Sequence, residues 1–457
     1  MENLSLLDRF NNWVKESIVV KLMSIGFLML ILLLPSSWVQ DLITERQSRA
    51  DEVVQEVSSK WAASQTLTGP VLMIPFKKIE KVDEWSAGVK YTRLVESNHR
   101  AYFLPEELNV NGTIKSEVLH RGIFDVAVYD SKLSIKSVFA NVSFEKWNIP
   151  NEQIYWEEAA LMMGISDLQG IHENPKISSN GTSLKSESSA DLGLYMEGNT
   201  TGIVIPLNWK NEDDVVKNVN MDLELKGSER LYFVPIGKST SVSLAGDWPS
   251  PSFDGKMLPN DRRITDSDFN ATWKVLAFNR PIADQWVDNG QPLAGTEFGV
   301  RLLIPADQYQ KSMRTAKYAA LIILLAFTAL FLVEITRKVR IHPFQYILVG
   351  VALIVYYTLL LSISEHLGYN IAYAIASTAT VLLLALYSVT FLKVRGLVVL
   401  FTAVMSLFYV FIFVIIQAQD YSLLLGSLGL FLITAVVMYF SRNIRWYRDD
   451  QPVDRSV

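Results

Sequence analysis

Residues 318–333 read YAALIILLAFTALFLV, an unbroken apolar run without one charged side chain. A helix needs about 20 apolar residues to cross a bilayer, and this run falls within a few residues of that length. Toward the C terminus four more runs follow closely, at 346–363, 371–392, 397–417 and 421–440. Toward the N terminus the pattern stops. Residues 39–316 are polar, turn-rich and strand-like, and only beyond them does another apolar run appear, at 18–34. The layout predicts a polytopic α-helical membrane protein with six helices in a 1+5 arrangement. A large β-rich extracytoplasmic domain is inserted between helices 1 and 2.

Composition narrows the classes further. Half of the 457 residues are hydrophobic, as a mixed membrane and water-facing chain requires. A formal charge of −5 offers no broad basic surface, so no nucleic-acid partner is expected. The chain has no cysteine, which excludes a disulfide framework, thiolate metal sites and a cysteine nucleophile. The Asn-x-Ser/Thr triplets at Asn111, Asn141, Asn180, Asn199 and Asn270 read as turn chemistry between strands rather than as glycan acceptors.

Short connections set the orientation, because long domains translocate largely regardless of charge. Arg337, Lys338 and Arg340 follow the second run, and Lys393 and Arg395 follow the fourth. The tail carries Arg442, Arg445, Arg448 and Arg455. The other connections have Glu365, His366 and Asp420 but no Lys or Arg. This alternation puts both termini in the cytoplasm and residues 39–316 outside. The expected order is then a cytoplasmic interfacial segment at 1–17 and an uncleaved signal-anchor helix at 18–38. The outer domain at 39–316 starts with a helical stalk, and one reading divides it into two subdomains near 178–190. A five-helix block at 317–440 and a basic tail at 441–457 complete the chain. Leu7, Phe10 and Val14 share a helical face in the first segment, with Trp13 beside them. Trp38, Tyr318, Tyr421, Trp446 and Tyr447 sit near predicted helix ends, as interfacial aromatics do.

Within the outer domain, residues 219–225 alternate apolar and polar, the signature of a half-buried strand, and 123–129 and 241–245 read similarly. Five strand-like runs close on Pro75, Pro105, Pro206, Pro235 and Pro305; proline has no N–H for the ladder and is expected at strand ends. Tyr102-Phe103-Leu104-Pro105 and Tyr232-Phe233-Val234-Pro235 are near copies, a weak sign of two related subdomains. Residues 157–163 read as a short helix, and 178–190 as a surface loop.

The search for chemistry yields little. The five histidines, His99, His120, His172, His342 and His366, show no metal-ligand spacing, and no phosphate-loop, dinucleotide or nucleophile-elbow motif occurs. No catalytic residue, cofactor or metal is expected. Asp167, Asp247, Asp254, Asp266 and Asp268 read as turn residues. Ionisable groups are almost absent from the spans, which disfavours a coupled transporter. Lys21 lies low in the first run and Glu334 at the end of the second. His342 and Pro343 at one end of a span, and Glu365 and His366 at the other, are the positions with most potential for function, by boundary placement or by sensing.

A set of longer matches adds a resemblance. Residues 305–310 (PADQYQ), 317–319 (KYA), 341–350 (IHPFQYILVG) and 359–368 (LLLSISEHLG) resemble the CreD family of bacterial inner-membrane proteins. So do Arg442-Asn443-Ile444 with Trp446-Tyr447, Thr68-Gly69-Pro70 and the segment 248–253 (WPSPSF). Arg445 stands where an acidic residue is expected and belongs to no inherited site. The resemblance implies a multi-pass inner-membrane protein with its large domain in the periplasm. It also implies a role in cell-envelope integrity and in envelope stress under two-component control, and it brings no catalytic residue. The partners implied are the lipid bilayer and a periplasmic protein, inner-membrane protein or cell-wall component. Two alternatives stay open: a transporter or channel, marked by a polar cleft between membrane helices, and an enzyme of envelope glycans or lipids, marked by a pocket that gathers Asp or Glu with His.

Overall fold

Val219, Met221, Leu223 and Leu225 are buried while Asn218, Asn220 and Asp222 face water, so one strand already shows which side of its sheet meets a core. The computed structural model describes residues 18–86, 89–194, 201–215, 217–288, 293–304, 307–337, 339–418 and 421–442. These divide into two units, one within Asp51–Pro305 and the other within Met1–Ala50 and Ala306–Val457.

The first unit is built of two sheets. One contains β1 (Gln65–Ser86), β2 (Val89–Phe103), β5 (Ala160–Ile165), β8 (Glu187–Ser189), β9 (Gly202–Pro206), β11 (Arg230–Phe233), β13 (Pro251–Gly255), β16 (Gln285–Val287) and β17 (Phe298–Leu302). The other contains β3 (Glu107–Arg121), β4 (Phe124–Val138), β6 (Lys176–Ser179), β7 (Thr182–Leu184), β10 (Asn218–Ser228), β12 (Ser239–Gly246), β14 (Asp261–Ile264) and β15 (Phe269–Leu276). The first sheet runs β13-β17-β11-β1-β5-β9-β8, with β2 paired to β1 and β16 to β2. The second runs β14-β15-β12-β3-β4-β10-β6-β7. One apolar cluster joins the two sheets, with Leu67, Ile74 and Ile165 from the first and Val110, Leu133, Leu223 and Trp273 from the second. Trp273 spans the gap, 5.7 Å from Phe253 and 5.7 Å from Phe298. Phe144 of the same cluster packs against Phe76 and Phe103, with Trp147 and Trp156 around it.

Several expectations meet their outcome here. Val219–Leu225 lies in β10, and β12 contains 241–245. The expected helix at 157–163 is instead a short 3-10 turn, Trp156–Glu158, followed by β5. All six residues of β5 are buried between β1 and β9. A strand buried on both faces reads as a plain apolar run, which periodicity cannot separate from a helix. Pro105 and Pro235 follow β2 and β11 within two residues, and Pro206 closes β9. Pro75 does not end its strand: it lies inside β1, opposite Arg100 of β2. Pairing with β5 stops at Met73, so the missing N–H falls where the second neighbour has already left the ladder. The stretch 178–190 is not loop alone, since it holds β7 and β8, short strands at the edges of their sheets, and the end of β6. Both Tyr-Phe-x-Pro copies close a strand of the first sheet before the chain passes to the second, and the strands that follow, β3 and β12, pair in parallel. Pro305 and the residues 1–17 and 443–457 lie outside the described residues, and with them the interfacial face of Leu7, Phe10 and Val14.

The second unit is helical: α1 (Ile18–Trp61), α2 (Asp307–Lys317), α3 (Ala319–Arg337), α4 (Pro343–Leu367), α5 (Tyr369–Leu392), α6 (Arg395–Gln417) and α7 (Ser422–Ser441). Residues of α1 beyond Ala50 belong to the β unit. Among the described residues α1, α3, α4, α5 and α6 are long and apolar enough to cross a membrane. In α7 the described apolar stretch is shorter, Leu424–Tyr439. The protein is thus a multi-pass membrane protein carrying a large β domain. Small residues set the helix contacts: Ala372 and Ala376 are fully buried, and the Phe411 ring occupies the space beside Gly429.

Candidate functional site

Glu334 ends the apolar part of α3 and is 5% exposed. A buried carboxylate must be paired and hydrogen-bonded to be tolerated. Its Oε1 accepts from the Ile341 N–H at 2.8 Å, its Oε2 accepts from the Tyr346 hydroxyl at 3.1 Å, and the Lys21 ammonium forms an ion pair with it. The Tyr346 ring stands edge-on to Phe327, 5.3 Å away. One carboxylate therefore ties together α1, α3, the following turn and α4.

A second acidic group works at the opposite end of α4. Glu365 accepts from the Tyr309 hydroxyl at 3.2 Å, and Arg46 Nε of α1 lies 3.9 Å away. Burial, then the neighbouring Glu365 carboxylate, push the Tyr309 hydroxyl up to about 12. His366 is exposed. His342 is the N-cap of α4: its Nδ1 accepts from the Phe344 N–H at 3.2 Å, its own N–H donates to Gln345 Oε1 at 2.9 Å, and Pro343 takes the first helical position. Of the four positions singled out from sequence, His342 and Pro343 thus start a helix and Glu365 joins a charge cluster. Lys21, Arg46, Tyr309 and Tyr346 are the partners that sequence reasoning missed. Opposite charges at matching ends of two apolar runs, Lys21 and Glu334, were the available signal.

Between the two clusters lies a core of hydroxyls. Tyr356 packs 4.9 Å from Tyr357, 4.7 Å from Tyr409 and 6.0 Å from Tyr373, ring centre to ring centre. The Tyr373 hydroxyl donates to the Tyr409 carbonyl at 2.7 Å, and Thr315 Oγ1 lies 2.6 Å from the Tyr369 hydroxyl. A groove of about 530 Å³ opens between α5 and α6 beside this core.

In the β unit, two features stand apart from the core. Beyond Phe76, β1 pairs with β2 alone, from Lys77 opposite Asn98 to Ser86 opposite Val89, and forms a two-stranded ribbon. Ile79, Val82, Tyr91, Leu94 and Val95 are exposed on it. By the alternation of strand side chains, Val82, Val95 and Tyr91 lie on one face and Ile79 and Leu94 on the other. At the base of the ribbon, His99 Nε2 lies 2.7 Å from Ser97 Oγ and His99 Nδ1 2.6 Å from Asp288 Oδ2. The sequence of contacts is that of a serine nucleophile, a base and an orienting acid. It sits on an open strand with Asp288 half exposed, and Asp288 also accepts from the Arg100 N–H at 2.9 Å and donates its own N–H to the Arg100 carbonyl at 2.8 Å. This geometry clasps the chain after β16 onto β2. Asp167 accepts from the nearby Gln169 N–H, as a turn residue does, and also from the Ala63 N–H, whereas Asp247 accepts from the Ser116 N–H of β3 and so ties two distant segments together. Asp254 departs from that reading, since it pairs with Arg301 and accepts from Tyr232. No group of three or more His, Asp or Glu is placed to hold a metal ion among the described residues.

Comparison with known proteins places this architecture. The family described as "Inner membrane protein CreD" matches residues 17–447. Inner membrane protein CreD of Escherichia coli (strain K12) is 32% identical over 445 residues, covering 96% of each chain. A putative nutrient binding protein from Legionella pneumophila is 10% identical, with a TM-score of 0.26, over 49% of this chain and 77% of that one. The chain belongs to the CreD family of inner membrane proteins.

Proposed function

We propose that this protein supports cell-envelope integrity, and the response to envelope stress, by holding a partner through its β unit rather than by catalysis. In this reading six helices cross the inner membrane in a 1+5 order, both termini are cytoplasmic and the β unit is periplasmic. The alternation of Lys/Arg-bearing connections and the family membership support that placement.

The observation that carries the binding reading is the β1–β2 ribbon. An isolated two-stranded ribbon is marginally stable in water, and this one exposes Ile79, Val82, Tyr91, Leu94 and Val95 over both faces. Apolar surface of that kind, set among Lys77, Lys78, Lys81 and Arg93, is what an interaction site presents. The partner is a periplasmic protein, an inner-membrane protein or a wall component. Photoreactive residues at Ile79, Val82 and Leu94, with one at exposed Asn220 on β10 as control, test this in the native envelope. The ribbon positions are expected to capture one discrete partner that Asn220 does not. The same products from ribbon and control, or full envelope resistance in an Ile79→Ser/Leu94→Ser variant at normal abundance, would overturn it.

A further inference from the structure

Helix α2 sits where the apolar helices stop. Its 11 residues make about 16 Å of helix, too short for a hydrocarbon core of about 30 Å, and α3 begins two residues after its end. The buried side of α2, made of Tyr309, Ser312, Thr315 and Ala316, packs where α4 gives way to α5. There the Tyr309 hydroxyl donates to Glu365, and Thr315 Oγ1 lies 2.6 Å from the Tyr369 hydroxyl. Since α4 closes at Leu367 and α5 opens at Tyr369, α2 lies at the level of the lipid headgroups. The layer around it is therefore headgroup and interfacial water.

The other side of the helix is cationic. At 3.6 residues per turn, Lys311, Arg314 and Lys317 fall within an arc of about 120°, opposite the four buried residues. Lys317 is exposed, and Lys311 and Arg314 are partly so. The Lys311 ammonium stands 5.9 Å from the centre of the Tyr369 ring, which holds it at the same rim. Other cations of the helical unit have acidic partners: Arg46 faces Glu365, and Arg49 faces Glu45. Arg314 and Lys317 form no ion pair among the described residues. Against these three cations the sequence of α2 sets one acid, Asp307, at its first position.

We propose that the outward side of α2 binds the phosphate of an anionic phospholipid. Arg314 offers a planar guanidinium to two phosphate oxygens, and Lys311 and Lys317 flank it as point charges. Charge selects a net-negative headgroup over a zwitterionic one, since each cation near an anionic surface is worth roughly a fivefold change in binding. Phospholipid phosphates lie on both sides of a bilayer, so either orientation of the chain permits the contact.

Photoreactive phosphatidylglycerol and phosphatidylcholine, with the same chains and a diazirine near the headgroup, provide the test. Each is added to the full chain in phosphatidylcholine nanodiscs, and crosslinks are located by peptide mass spectrometry. Phosphatidylglycerol is expected to label residues 307–318 more than about tenfold above phosphatidylcholine. Arg314→Gln/Lys317→Gln should bring that yield down close to the phosphatidylcholine level. Its thermal midpoint should match wild type, because both side chains lie on the outward side. Arg314→Lys/Lys317→Arg keeps the charge and should keep most of the labelling. Lys132→Gln/Lys136→Gln removes the same charge from the β unit and should change nothing. Equal labelling by the two lipids, unchanged labelling in Arg314→Gln/Lys317→Gln, or an equal loss in the charge-keeping variant would overturn the proposal.

Discussion

Leu32 of α1 occupies the notch that Gly350 leaves on α4: a Cβ built on Gly350 would overlap Leu32 Cδ1, with Phe327 next in line. Leu32 is 4% exposed, so it has no open space into which to retreat. The same helix is tied near its start by Lys21 to Glu334 and farther along by Arg46 to Glu365. Charge fixes α1 at two levels, and close packing at a small residue fixes the level between them. In lipid, where apolar side chains gain nothing by leaving water, such close approach and hydrogen bonding hold helices together.

Replacing Gly350 by Val therefore pushes Leu32 out of its seat. Overpacking of this kind costs about 1–3 kcal/mol. The thermal midpoint of the full chain in detergent is expected to fall, and Leu32→Ala in the Gly350→Val background to restore part of the loss. A Gly350→Val protein as stable as wild type would mean that α1 does not pack at Gly350.

Removing the Glu334 carboxylate should be more damaging. Glu334→Ala leaves the Lys21 ammonium, the Ile341 N–H and the Tyr346 hydroxyl without their acceptor at once. Breaking a buried pair from one side costs about 3–5 kcal/mol, and the partial exposure of Lys21 puts this case toward or below the low end. Lys21→Met alone is expected to cost less, because Ile341 and Tyr346 still satisfy the carboxylate. A double-mutant cycle on thermal stability should show coupling between positions 21 and 334. Additive effects would remove the ion pair from the account.

What the sequence makes legible follows from how local each cause is. The alternation over Val219–Leu225 is a local pattern with one buried face, and it gave the correct strand. The apolar runs are likewise local, and they match five helices long enough to cross a membrane and a large β domain between the first and the rest. β5 was misread because its two buried faces erase the alternation. Pro75 was misplaced because the neighbour that makes its missing N–H harmless is β5, far along the chain. Helix α2 carries buried Tyr309, Ser312, Thr315 and Ala316 along one side, a helical spacing that lies within the 39–316 span assigned from sequence to the outer domain. The charge clusters are non-local: Lys21 and Glu334 are 313 residues apart, and no spacing rule reaches that far.

The roles of His342, Glu365 and His366 can be separated. His342 caps α4 through Nδ1, so His342→Asn, another good N-cap, should leave stability within about 0.5 kcal/mol, while His342→Ala should cost about 1 kcal/mol. His366→Gln should be silent, since that side chain is exposed. Glu365→Gln keeps an acceptor for Tyr309 but removes the charge opposite Arg46, and a small loss of stability is expected. None of these changes should abolish the envelope phenotype while the protein still accumulates. Complete loss of function at normal abundance for His342→Asn or His366→Gln, with loss of any proton or ion flux in vesicles, would argue for transport.

Orientation is tested most directly by reporters. Asn180 sits at an exposed turn between β6 and β7 with φ 46°, a conformation suited to a loop tip that tolerates insertion. Arg395 starts α6, just after the Lys393 turn that closes α5. A phosphatase that matures only outside the cytoplasm is expected to be active when fused at Asn180. Fused after Arg395 it should be inactive, because the proposed orientation puts the basic Lys393–Arg395 connection on the cytoplasmic side. Activity after Arg395 and none at Asn180 would invert the topology. It would also move the ribbon and its partner to the cytoplasm.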